Sequence, residues 1–171
     1  MKKFLLYILI LLFSLMSVGA IEKIKVPDDE ENLENIVIAV CWVESDYGRI
    51  KRGTSGERGP MQIMRNEWEF TTHKLMGIDK KTNLLNGKDY SWDSAFNPVK
   101  NIKVGRIYLN YLYSKYSNWE IVIRVYHSGV RGYFKLHKGV DYWEAIQKTL
   151  NIGDTSWRIS KKHIIKKKVR Q

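Results

Sequence analysis

Cysteine is nearly absent from this chain: Cys41 is the only one in 171 residues. A single thiol excludes an intramolecular disulfide framework and any zinc site of the CxxC type. Three prolines and twelve glycines exclude collagen-like or linker composition, and 44% hydrophobic residues exclude a disordered chain. The four histidines (His73, His127, His137 and His163) show no HExxH or other metal-ligand spacing. Neither a metal nor another cofactor is implied. No internal repeat, low-complexity tract or interdomain linker is visible, and the length suits one domain with its own core.

Acidic residues are also scarce, 18 against 29 Lys and Arg, for a formal net charge of +11. Such a balance invites a nucleic-acid partner, but its distribution argues otherwise. Met1 to Ala20 has two lysines, an apolar run from Phe4 to Met16 and the compact residues Val18-Gly19-Ala20. This is the layout of a secretory signal, its core short for a spanning helix; an uncleaved anchor is the alternative. Without Lys2 and Lys3 the charge is +9, and six basic residues lie in the acid-free stretch from Lys161 to Gln171. Residues 21–160 therefore carry only +3. The basicity is a tail, either solvated or a tether to anionic envelope polymer or lipid, and no nucleic-acid partner is expected. The expected organisation is a signal or anchor over 1–20, an acidic lead-in over 21–31, one domain over 32–157 and a basic tail over 158–171. The protein is expected to be exported to the periplasm or cell envelope.

Helical signals dominate the domain. Acids at residues 28–31 precede an apolar stretch from Asn32 to Tyr47 that stops at Gly48, predicting a buried central helix. Asn66 with Glu69 offers a cap for a helix ending at Gly77, and Asn97-Pro98 opens another. Ser117-x-x-Glu120 reads as a capping box for a helix stopping at Gly129, and Asp141-x-x-Glu144 starts a last one. The fold class is mainly α with at most a small β-hairpin.

Glu44 continues the apolar stripe Leu33, Val37, Val40 in the last turn of the first helix. Desolvation there and the negative end of the helix dipole both favour the protonated carboxyl, the form a general acid needs. The alternative is a side chain that swings to solvent at a frayed helix end.

Glu44-Ser45 is followed fifteen residues later by Gly59 in Ser55 to Met64, SGERGPMQIM. Then come FNPVKNIKVGRIYLNYL (Phe96 to Leu112) and IVIRVYHSG (Ile121 to Gly129). In this order and spacing the chain resembles the SLT-type lytic transglycosylases of the lysozyme-like superfamily, over about residues 32–132. Each motif alone is weak; four in register are specific. The resemblance implies a lysozyme-like helical domain that cleaves peptidoglycan glycan strands. It maps the family's catalytic acid onto Glu44, which would protonate the oxygen between N-acetylmuramic acid and N-acetylglucosamine. The same carboxylate would then deprotonate the 6-hydroxyl that closes on C1 to give a 1,6-anhydro end. It also implies that Ser45 orders the site, that Met61, Gln62 and Ile63 line the cleft, and that the Tyr126 hydroxyl lies near the acid. Gly56 and Gly59 match glycines beneath the cleft, and Asn97, Pro98, Asn101 and Ile102 match a structural segment.

Four positions depart from the pattern. Pro60 stands for the usual Leu and Arg65 for Pro, so the cleft turn is expected to differ in shape. His127 stands for Asn and Ser128 for Ala. A histidine there either caps helix carbonyls, the reading its position favours, or adds a titrating group. The rival function on the same fold is a muramidase that uses water with Asp46 or Glu57 as helper. A second rival is a non-catalytic glycan-binding module. Six tryptophans and ten tyrosines could offer ring faces to sugars, although most are expected in packing.

Overall fold

The computed structural model describes residues 30–151, with side chains from residue 32. The signal or anchor segment, most of the acidic lead-in and the basic tail lie outside the described residues. Among those described, five α-helices surround a core, with one two-stranded antiparallel sheet. This bears out the mainly α fold with a small hairpin. No described helix is long and apolar enough to cross a membrane.

The first helix, α1 (Glu30–Ser45), is the central one. Leu33, Ile36, Val37, Ala39, Val40 and Cys41 are all buried, as an almost uniformly apolar helix requires. It packs against α3 (Pro98–Tyr116) and α5 (Val140–Asn151), and α4 (Trp119–Leu136) packs against both of those. Asp46, Tyr47 and Gly48 follow α1 in left-handed conformation, which turns the chain sharply out of the helix.

The second helix differs from expectation. This helix, α2 (Arg65–Phe70), has Met64 as N-cap and no side-chain cap bond, and gives way at Phe70 to a π-helical turn over Thr71–Leu75. Asn66 is therefore inside the helix, and Glu69 instead accepts from Arg65 Nε at 2.7 Å. The hairpin pairs Leu84–Leu85 (β1) with Lys88–Asp89 (β2) around Asn86 and Gly87. Both turn residues have positive φ, the requirement that Asn-Gly meets best.

The start of α3 follows the sequence reading: Asn97 accepts from the Lys100 amide and Pro98 occupies the first turn. The start of α4 is shifted by one residue. Asn118, not Ser117, is the cap and accepts from the Ile121 amide, while Ser117 ends α3 in left-handed conformation. Gly129 does not end α4; it kinks it, at φ 71° and ψ 165°, and the helix continues to Leu136. Trp68 is buried, as a packing role predicts, whereas Trp42 is exposed and leans on Tyr47.

Candidate active site

The segment after α1 folds back over the end of that helix, and buried polar groups hold it there. The Ser45 hydroxyl donates to the Pro60 carbonyl at 2.6 Å and accepts from the Gly48 amide at 2.7 Å. One small side chain thus joins the last turn of α1 to the loop fifteen residues on. Pro60 is buried, and its ring lies 3.2 Å from where a Gly48 Cβ would stand. The departure at Pro60 is thus absorbed by a glycine with no side chain to collide with it.

Arg58 pairs in backbone bridges with Arg52 and Ile63, which narrows the loop. Its guanidinium lies over Trp92 and Phe96 at 4.3 and 4.5 Å and pairs with Asp93 at 2.8 Å. Gln62, at φ 44°, donates its amide to the Ile50 and Gly59 carbonyls at 3.1 and 2.7 Å. Asn101 of α3 is fully buried beneath: its carbonyl accepts from the Met61 amide at 2.8 Å. Its amide donates to Arg58 and Ala95 carbonyls at 2.8 and 3.0 Å. A Cβ on Gly59, itself at φ +71°, would stand 2.5 Å from the Asn101 amide group, so the close approach requires glycine.

These contacts assign the cleft residues inferred from resemblance to the interior. Met61 is 0% and Ile63 3% exposed, so their side chains pack in the core beneath the loop rather than face a ligand. The Met61 sulfur lies against Gly105 of α3, where a larger residue would collide. Ser45 and Gln62 are likewise buried and spent on backbone partners. As they stand, these four side chains shape the site without lining it.

Glu44 stands at the last turn of α1 with its side chain 17% exposed, neither frayed to solvent nor sealed off. Three aromatic side chains from other elements meet it. Tyr126 of α4 donates to the Met61 carbonyl at 2.8 Å, so the loop backbone is pinned on one side by Asn101 and on the other by Tyr126. Burial first, then the Glu44 charge, hold the Tyr126 hydroxyl well above its ordinary range for ionisation. The Tyr142 hydroxyl of α5 is buried, faces Glu44 and has no well-formed hydrogen bond to any group. Burial and the same carboxylate push it in the same direction. His127 of α4 places Nδ1 4.0 Å from Glu44 Oε1 and stacks flat on Tyr142, with centroids 4.2 Å apart and planes at 9°. The ring thus faces the carboxylate.

The two carboxylates weighed as helpers, Asp46 and Glu57, are engaged elsewhere. Asp46 pairs with Arg49 at 2.9 Å, and Glu57 accepts from the Ser55 amide at 2.9 Å within its own turn. Two residues near the site escaped the sequence reading. Tyr142 carries only an ordinary core signal, one turn before Ile146; its place beside Glu44 comes from α5 packing on α1. Glu67 of α2 has a buried, unpartnered Oε2, and its charge raises Tyr108 and Tyr126. Cys41 is buried one turn before Glu44, and burial followed by that charge pushes its thiol up to about 12. It is an inert packing group, as expected of a free buried cysteine.

A carboxyl that is mostly buried yet reachable, at a helix end and ringed by tyrosines and an imidazole, suits proton transfer to a bound polar substrate. A family model described as the transglycosylase SLT domain matches residues 24–148, which contain every element of this site. No curated protein and no solved structure matches the chain. The match covers well over half of the sequence, and with the helical fold built around Glu44 it establishes that the chain belongs to the transglycosylase SLT domain family, whose lysozyme-like domains act on peptidoglycan.

Proposed function

We propose that the protein is an exported peptidoglycan lytic transglycosylase in which Glu44 acts first as acid and then as base. The observation that carries this reading is the setting of Glu44: a 17% exposed carboxyl with Tyr126, Tyr142 and His127 around it, inside the family-matched segment. Protonated Glu44 gives its proton to the oxygen linking N-acetylmuramic acid to N-acetylglucosamine. As the bond from C1 to that oxygen breaks, the muramoyl ring gains oxocarbenium character. The 6-hydroxyl of the same sugar then bonds to C1, and its proton passes to the Glu44 carboxylate. Glu44 ends as it began, and no water is consumed. A hydrolase would need a second carboxylate at a set separation to activate water; Asp46 and Glu57, its candidates, are held by Arg49 and by the Ser55 amide.

The buried residues have positioning roles here. Ser45 and Gln62 hold the loop over the end of α1, Met61 and Ile63 anchor it to α3, and Tyr126 ties it to α4. The chain's own side chains supply the chemistry.

Digestion of sacculi followed by mass analysis tests the reading. Anhydro-muramoyl ends are expected, and Glu44→Gln is expected to lower turnover by about 10²–10⁴-fold. Reducing ends alone would replace this reading with the hydrolase. Binding to sacculi without cleavage would replace it with the binding module.

Six basic residues in the last eleven fit a tether to anionic envelope polymer or lipid. Deletion of residues 161–171 is expected to weaken sedimentation with cell walls and flatten its salt dependence. Unchanged binding would make the tail ordinary solvated sequence.

A further inference from the structure

The exposed apolar side chains of the described residues gather in one place. Val130, Phe134, Leu136 and Val140 fall within a short stretch around the end of α4, each between 43 and 55% exposed. Val130 and Phe134 stand one helical turn apart beyond the Gly129 kink and share a face, and Arg131 and Lys135 form the row beside them. Lys138 follows in the turn before α5. These three cations are exposed, and none is in an ion pair among the described residues. Residues 121–140 contain no Asp or Glu.

The stretch is held firmly on its inner side. Gly132 is buried, and a Cβ there would stand 2.8 Å from the Ser128 Cβ. Arg124 reaches beneath it, donating to the His137 and Lys138 carbonyls at 3.3 and 3.2 Å and lying over the Tyr133 ring at 4.7 Å. The apolar groups are therefore outside because the fold turns them outward, not because a helix end is frayed. Apolar side chains flanked by unpaired cations suit a lipid interface, where the first enter the acyl boundary and the second reach phosphate headgroups. Three of the four apolar residues are aliphatic, and no carboxylate or amide side chain lies among them, so the patch suits hydrocarbon better than a sugar. A two-fold contact with a second copy would set Arg131 and Lys135 against themselves.

We propose that the face from Val130 to Val140 docks on an anionic lipid bilayer, lying in its surface rather than crossing it. This goes beyond the enzymatic reading and does not depend on Glu44. The cationic tail and the apolar run from Phe4 to Met16 could bring the full chain to a vesicle by themselves, so contact has to be read at the face itself. An environment-sensitive fluorophore is attached to full-length protein through Val130→Cys, with Lys80→Cys in the loop before β1 as the control; the native Cys41 is buried. With vesicles of phosphatidylglycerol and phosphatidylcholine in equal parts, the label at position 130 is expected to shift to the blue and to be quenched by a quencher carried on the lipid. The label at position 80 is expected to do neither. Added to the position-130 protein, Arg131→Gln with Lys135→Gln is expected to raise the lipid concentration for half the shift by about 10–30-fold, the weight of two cations at an anionic surface. A label at position 130 that stays in water on vesicle-bound protein would overturn the proposal, as would protein that binds no vesicles or an unchanged half-shift concentration in the double variant. A shift with isolated sacculi and none with vesicles would assign the face to the cell wall and overturn it too.

Discussion

Ser45 shows how much one hydroxyl can organise. Its bond to the Pro60 carbonyl at 2.6 Å is buried, so that carbonyl depends on it for pairing, while the Gly48 amide, which it accepts from at 2.7 Å, has a second acceptor in the Ser45 carbonyl at 3.1 Å. Replacement by alanine strands the Pro60 carbonyl away from water. Ser45→Ala is expected to cost about 1–3 kcal/mol, seen as a lower urea midpoint with an unchanged slope. Turnover should fall as well, since the loop it holds packs beside Glu44; full turnover in a destabilised variant would show that loop position is irrelevant to the chemistry. Asn101 does the same work from α3, meeting three backbone groups with one amide. Pairs of this kind are what keep Met61 and Ile63 under the loop.

At the scale of elements, the kink in α4 is the feature on which the site turns. Gly129 lies at φ 71° and ψ 165°, a region that residues with a Cβ essentially do not occupy. A Cβ there would meet no other atom within 4 Å. The cost of Gly129→Ala is therefore backbone strain alone, about 1–3 kcal/mol. Before the kink, α4 carries Tyr126 and His127; after it, the chain reaches α5 and Tyr142. Straightening α4 would separate the imidazole from the ring it stacks on. We expect the variant to lose the His127–Tyr142 ring contact, read as a change in the His127 ring proton shifts, together with stability. A stability loss with unaltered shifts would confine the effect of Gly129 to its own turn.

For the whole molecule, the buried acids around α1 predict how stability depends on pH. Burial is the first cause that raises Cys41 and Tyr108 to about 12 each, and Tyr126 and Tyr142 rise for the same reason. An unfolded thiol titrates near 9.0 and an unfolded phenol near 10.0. Between those values and 12 the unfolded state has lost protons that the folded state keeps. Folding is then disfavoured as pH rises. These groups contribute their stability in full below about pH 9 and lose it progressively toward 12. Urea midpoints measured from pH 8 to 11 should decline, and Cys41→Ala should remove the earliest part of the decline. A variant with the wild-type slope near pH 9 would rule out the thiol as a contributor.

Local chemistry made part of this architecture readable. Asn97-Pro98 marks a helix start because a short acceptor side chain and a fixed φ act within four residues. The unbroken apolar run from Ile36 to Cys41 marks a central helix because nothing but a core can take all its faces. Glu44 stands out as a carboxyl on that helix, and the spacing from Glu44-Ser45 to Tyr126 carried the family. Adjacent signals were harder to separate. Ser117 and Asn118 both suit a cap, and only the left-handed turn out of α3 selects Asn118. Gly129 reads as a stop because glycine ends helices more often than it bends them. The burial of Met61 and Ile63 was not legible for another reason: a motif names the residues near a cleft but not which atoms face it. That was settled when Asn101, forty residues away, took the Met61 amide and drew the loop inward. Likewise, Tyr142 and the pairing of His127 with Glu44 depend on α1, α4 and α5 meeting at one corner. Local propensity and periodicity act within a few residues of the chain and could name the acid; its neighbours come from contacts eighty to a hundred residues apart, which packing alone creates.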